Sequence, residues 1–168
     1  MLHPTIILSY FAEPILLKQA IRIVEAVCLF IALVLVSVGD GFCFPNRYDE
    51  YVCMTIPLSI NNWHKLPVPA RYVAPQYYVF ASSIILFLAT IAAIAIVIQG
   101  LPWARILALT VAGSGAILCL VNASIETLYA GAIKPPYMDR SWTAAAALYF
   151  ILLPLFCVDA VLTYRTGC

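Results

Sequence analysis

Three stretches of this chain run for 22, 20 and 18 residues without an Asp, Glu, Lys or Arg: 77–98, 106–125 and 141–158. As helices rising ~1.5 Å per residue, they reach about 27–33 Å, the thickness of a bilayer's hydrocarbon layer. Each therefore reads as a membrane span. A fourth uncharged run, 26–38, has only 13 residues and follows Lys18, Arg22 and Glu25 at helical spacing. Lys18 can snorkel to the interface, and Arg22 and Glu25, three apart, can pair on one helix face. A span from about 15 to 38 is thus expected as well. A rival reading of this segment is a secretory leader with a small-residue cleavage site at Ser37-Val38-Gly39, which needs an unusually long leader.

Composition sharpens the assignment. Hydrophobic residues make up 64% and charged residues 10% of the 168, against roughly 45–50% and about 25% in soluble domains. A water-soluble enzyme is excluded on that ground. The net charge of +1 offers no basic field for nucleic acid.

The expected fold is all-α: an integral membrane four-helix up-down bundle in one domain, 1–168, with spans of about 15–38, 77–98, 106–128 and 141–163. A long outer loop, 39–76, joins the first two spans. A tight turn with Gly100 and Pro102 and a short loop with Pro135-Pro136 make the other connections, so both termini lie on one side. Charge does not orient the bundle, since Lys18, Arg22, Arg105 and Arg165 flank one side and Arg47, Lys65, Arg71, Lys134 and Arg140 the other. Cysteine gives a direction. Cys43 and Cys53 are the two of six that fall in the long loop, and a bond between them requires an oxidising compartment. Closing that interval restricts the unfolded loop by roughly 3 kcal/mol. The alternative is a pair of free thiols in a cytoplasmic loop. The disulfide reading puts the termini in the cytosol, where Cys168 becomes a candidate S-acylation site. The sequon Asn122-Ala-Ser124 falls inside the third span and should carry no glycan.

In lipid, helices associate through close backbone approach and interhelical polar contacts. The third span offers Ala104, Ala108, Ala112 and Ala116, four apart, with Gly113 and Gly115 beside them; the fourth offers Ala144 to Ala147 and the second Ala89, Ala92 and Ala93. Pro154 cannot donate to the carbonyl of Phe150 and should bend the fourth helix. Tyr77, Tyr78, Trp103, Tyr129, Trp142 and Tyr164 fall at span ends, as interfacial aromatics do.

Ionisable groups in spans are the candidates for chemistry, which here means Glu25, Glu126 and Asp159. The expected pairings are Glu25 with Arg22, Asp159 with Arg165 or Arg105, and Glu126 with Lys134 or Arg140. Glu25 and Asp159 then lie toward the cytoplasmic face and Glu126 toward the outer face, too far apart to hand a proton across. Asn122 and Glu126 share a face and can either tie neighbouring spans together or contact a lipid head group. His3 and His64 are isolated, no metal-ligand spacing occurs, and no catalytic or cofactor motif is present. The long loop holds Phe42, Phe44, Tyr48, Tyr51, Trp63 and Tyr72 among five prolines; it suits either a contact surface or a cap on the bundle's own outer end.

Three segments together resemble the MARVEL-domain tetraspan membrane proteins of the MAL, plasmolipin and chemokine-like-factor type. They are Ile21-Arg22-Ile23-Val24-Glu25 opening the first span, Asn122-Ala-Ser-Ile-Glu126 closing the third, and Val158-Asp159-Ala160-Val161-Leu162-Thr163-Tyr164-Arg165 closing the fourth. The first loop is longer than in the compact members. The resemblance implies a non-enzymatic organiser of membrane domains, vesicle traffic or cell–cell junctions at the plasma membrane or on vesicles. Its partners would be membrane lipids, including cholesterol-rich domains, and other membrane proteins or further copies of itself, with no soluble small-molecule substrate. Two alternatives stand beside it: a small proton-coupled transporter using Glu25, and an auxiliary subunit of a channel complex.

Overall fold

The computed structural model describes residues 4–38, 42–45, 51–54, 70–132 and 140–166, with side chains placed over 17–37, 74–128 and 141–165. Four long helices make up the fold: α1 (Pro4–Val38), α2 (Ala70–Ile98), α3 (Ala104–Ala132) and α4 (Arg140–Thr166). Each contains a segment long and apolar enough to cross a membrane: Leu17–Ser37, Ala74–Ile98, Ala104–Leu128 and Ser141–Arg165. Two short strands, β1 (Phe42–Pro45) and β2 (Tyr51–Met54), form an antiparallel pair between α1 and α2. Helix α2 begins at Ala70 and carries Pro75 within its N-terminal part, so the connection from α1 is shorter than the 39–76 expected. Lys134 and Cys168 lie outside the described residues, and Tyr129 lies outside those with placed side chains.

The helices pack around the ring α1–α2–α3–α4, with α3 against α4 the most extensive contact and α1 closing directly on α4. Between α2 and α3 the chain reverses at Gly100, whose φ of +66° lies in the left-handed region that glycine enters without strain. The Gly100 amide donates to the Val97 carbonyl at 3.1 Å, and the Ala104 amide donates to Leu101 at 3.0 Å. The helix end is thereby capped and the next begun within a few residues.

Buried positions recur at alternating intervals of three and four. On α1 the seam is Lys18, Arg22, Glu25, Leu29, Ala32 and Val36, with buried Ala26 beside it; on α4 it is Trp142, Ala145, Tyr149, Leu152, Phe156, Asp159 and Thr163, with buried Ala146 beside it. Helix α2 buries Gln76, Val79, Ser83, Leu86, Thr90 and Ala93 with the same rhythm. An average period of 3.5 keeps one seam facing its neighbours and gives left-handed bundle packing. The outward positions, among them Ile23, Phe30, Ile85, Leu88, Ile106, Ile117 and Ile151, are large, apolar and exposed. A soluble surface does not present such a girdle, whereas hydrocarbon covers it without cost.

The small residues of α3 occupy its buried side in part. Ala104, Ala108 and Ala112 are buried, Ala116 is partly buried, and Gly113 faces outward with open space around it. Gly115 lies against the Phe156 ring so closely that an added Cβ would stand 2.9 Å from it.

Candidate functional site

Two polar clusters occupy the interior, one toward the end of the bundle where α1 enters and α4 leaves, the other toward the end bearing the β-hairpin. In the first, Arg22 of α1 reaches across to α4. Its Nε donates to both Asp159 carboxylate oxygens at 3.2 and 3.1 Å, and its Nη2 donates to Thr163 Oγ1 at 2.6 Å. Thr163 in turn donates to Asp159 Oδ1 at 3.2 Å. Arg22, Asp159 and Thr163 are all under 4% exposed. The antiparallel course of α1 and α4 brings Arg22 and Asp159 to one level of the bundle.

This pairing corrects the expectation that Arg22 pairs with Glu25 and Asp159 with Arg165 or Arg105. Nearest neighbours in sequence lose to residues 137 apart because α1 and α4 turn these faces toward each other and away from lipid. Arg165 is exposed, and Arg105 donates instead to the Tyr164 carbonyl at 2.7 Å. Lys18 is buried, at 4% exposure, which also departs from the snorkelling expected of it. Glu25 is 1% exposed, and its Oε1 has no hydrogen-bond partner. It lies one turn beyond Arg22 on the same buried seam of α1.

The second cluster ties α2, α3 and α4. Ser82 donates to Asn122 Oδ1 at 3.0 Å, and Asn122 Nδ2 donates to Ser83 Oγ at 3.4 Å. Ser83 Oγ also meets the Tyr149 hydroxyl at 2.6 Å and the Val79 carbonyl at 2.6 Å. A serine has one hydrogen to give, so with that hydrogen on Val79 the tyrosine becomes the donor. Farther out, Gln76 Nε2 donates to Glu126 Oε2 at 3.3 Å, while Gln76 Oε1 and Glu126 Oε1 have no partner. Glu126 thus meets an amide on α2; of the partners expected for it, Lys134 lies outside the described residues and Arg140 outside those with placed side chains. Trp142 is buried at 4% and joins the core, unlike the half-exposed Tyr78 and Trp103.

Sequence reasoning missed Gln76, Ser82, Ser83, Tyr149 and Thr163. The signal for Thr163 was present, because it stands four residues after Asp159 on the same seam. For Tyr149 only the three-four rhythm, followed through polar and apolar residues alike, would have served. Together the two clusters leave Leu29, Leu86, Cys119, Leu152 and Phe156 as the buried apolar layer near mid-bundle. Among the described residues no group of three His, Cys, Asp or Glu is disposed to hold a metal ion.

Comparison with family models, curated proteins and solved structures finds no match to this chain.

Proposed function

We propose that this protein is a non-enzymatic four-span membrane organiser of the MARVEL-like kind, acting by lateral association with membrane proteins and lipids. The observation that carries the reading is the α1–α4 clasp. Arg22, Asp159 and Thr163 hydrogen-bond one another across the two ends of the chain, as polar groups do when they fix a bundle's shape. The exposed span surface is mostly large and apolar, with the Thr110, Ser114 and Ser124 hydroxyls of α3 turned onto their own helix's carbonyls, and it is available to lipid and to neighbouring helices.

The loop is the proposed recognition surface, and a disulfide is proposed to brace it. The hairpin register makes Cys43 and Cys53 direct cross-strand partners, and antiparallel partners have Cα atoms ~4.5–5.5 Å apart, inside the range a disulfide needs. An oxidised pair puts the hairpin outside the cytosol and the termini within it. Arg47 lies between the two cysteines, so trypsin separates them into different peptides. Without reductant these two peptides are expected to migrate as one linked species; two separate peptides with free thiols would remove the disulfide and the orientation with it.

The buried, unpartnered Oε1 of Glu25 favours a second reading, proton-coupled transport. The two separate in purified form. The organiser reading expects proteoliposomes to pass protons no faster than protein-free vesicles, and expects crosslinking in native membranes to recover the same neighbours from wild type and Glu25→Gln. A proton flux that Glu25→Gln abolishes would establish the transporter instead.

A further inference from the structure

We propose that the Arg22–Glu25–Asp159 triad binds one exchangeable proton, carried by Glu25. Two carboxyl groups and one guanidinium share the interior at this level, each less than 4% exposed. The guanidinium gives its Nε hydrogen to both oxygens of Asp159 and an Nη2 hydrogen to Thr163, and donates none to Glu25 Oε1. Glu25 is left with Oε1 buried and unpartnered. A bare carboxylate oxygen in hydrocarbon is among the costliest groups a protein can bury, and it is beside a second carboxylate that repels it.

The groups on every packed element agree. From α4, Glu25 meets the Asp159 carboxylate, with the Thr163 hydroxyl beside it; from α3, the Cys119 thiol lies within its electrostatic reach. At this level α2 offers Thr90, whose hydroxyl donates to its own Leu86 carbonyl at 2.9 Å. On α1, Lys18 lies seven residues toward the bundle's end, about 10 Å along the axis, and makes its own contact. With Asp159 ionised against Arg22, one proton on Glu25 brings the triad to zero net charge. The ligand is a proton alone, taken from water and returned to it, so no other reactant enters the balance. The inference holds whether the bundle organises membrane or transports, because it concerns occupancy of one site and no flux.

The test is infrared spectroscopy of the full chain in lipid at neutral pH. A wild-type minus Glu25→Gln difference spectrum should contain the carbonyl band of an un-ionised carboxyl, displaced to lower frequency in deuterium oxide, and the band should persist in Glu126→Gln. Its absence from the difference spectrum would overturn the proposal. Solid-state NMR with glutamate carboxyl carbons labelled keeps the question open to measurement even if Glu25→Gln fails to fold. With Glu126→Gln as the labelled chain three glutamates remain, of which one un-ionised resonance is expected, and three ionised ones would refute the site.

Discussion

Replacing Asp159 with Ala is expected to lower the stability of the bundle by about 3 kcal/mol, the largest loss from any single polar change in the interior. The substitution removes the acceptor from a guanidinium at under 4% exposure and leaves it unpaired in hydrocarbon. Removing one partner of a buried ion pair costs about 3–5 kcal/mol in proteins generally, and an arginine at membrane depth costs ~2.5–3.5 kcal/mol on insertion scales. Thr163 still accepts from Nη2 at 2.6 Å, which keeps the figure at the lower end. Unfolding by detergent titration in mixed micelles measures it. Replacing Arg22 and Asp159 together with leucine should recover most of the loss, because the penalty lies in the stranded charge and hardly at all in the missing contact.

Gly115→Ala is expected to cost about 1–2 kcal/mol, and Gly113→Ala to gain about 0.5–1 kcal/mol, in the same assay. The two glycines are two residues apart on α3 and differ only in what surrounds them. A methyl at Gly115 would stand 2.9 Å from two Phe156 ring carbons and 3.0 Å from a third, and Phe156 is fully buried with nowhere to turn. A methyl at Gly113 meets nothing within 4 Å, so only the gain in helix propensity remains. Equal effects at both positions would mean that α3 does not press on α4 where Phe156 is placed.

Long uncharged runs made three of the four crossings legible, since no competing fold needs them. The first crossing was harder to read because Lys18, Arg22 and Glu25 occupy the very seam that Leu29, Ala32 and Val36 continue. Polarity suggested a rim, while their spacing of four and three pointed to the interior. Partner choice was beyond sequence for a different reason. Arg22 has Glu25 within one turn and Asp159 at the far end of the chain, and only the way α4 closes on α1 decides between them. Likewise Glu126 meets Gln76, 50 residues away on α2, a partner that nearness in sequence does not suggest. Small residues on α3 were visible as a row, but which of Gly113 and Gly115 faces a helix depends on rotation about the α3 axis, which neighbouring helices set.

A double-mutant cycle on Arg22 and Asp159, measured by unfolding in bilayer-like micelles, asks whether the two ends of the chain are joined through this pair. If α1 and α4 are clasped as described, Arg22→Ala and Asp159→Ala will be strongly non-additive, with a coupling of about 2 kcal/mol or more. Losses that simply add, to within about 0.5 kcal/mol, would show that the two side chains act independently and that the bundle is not closed by this contact.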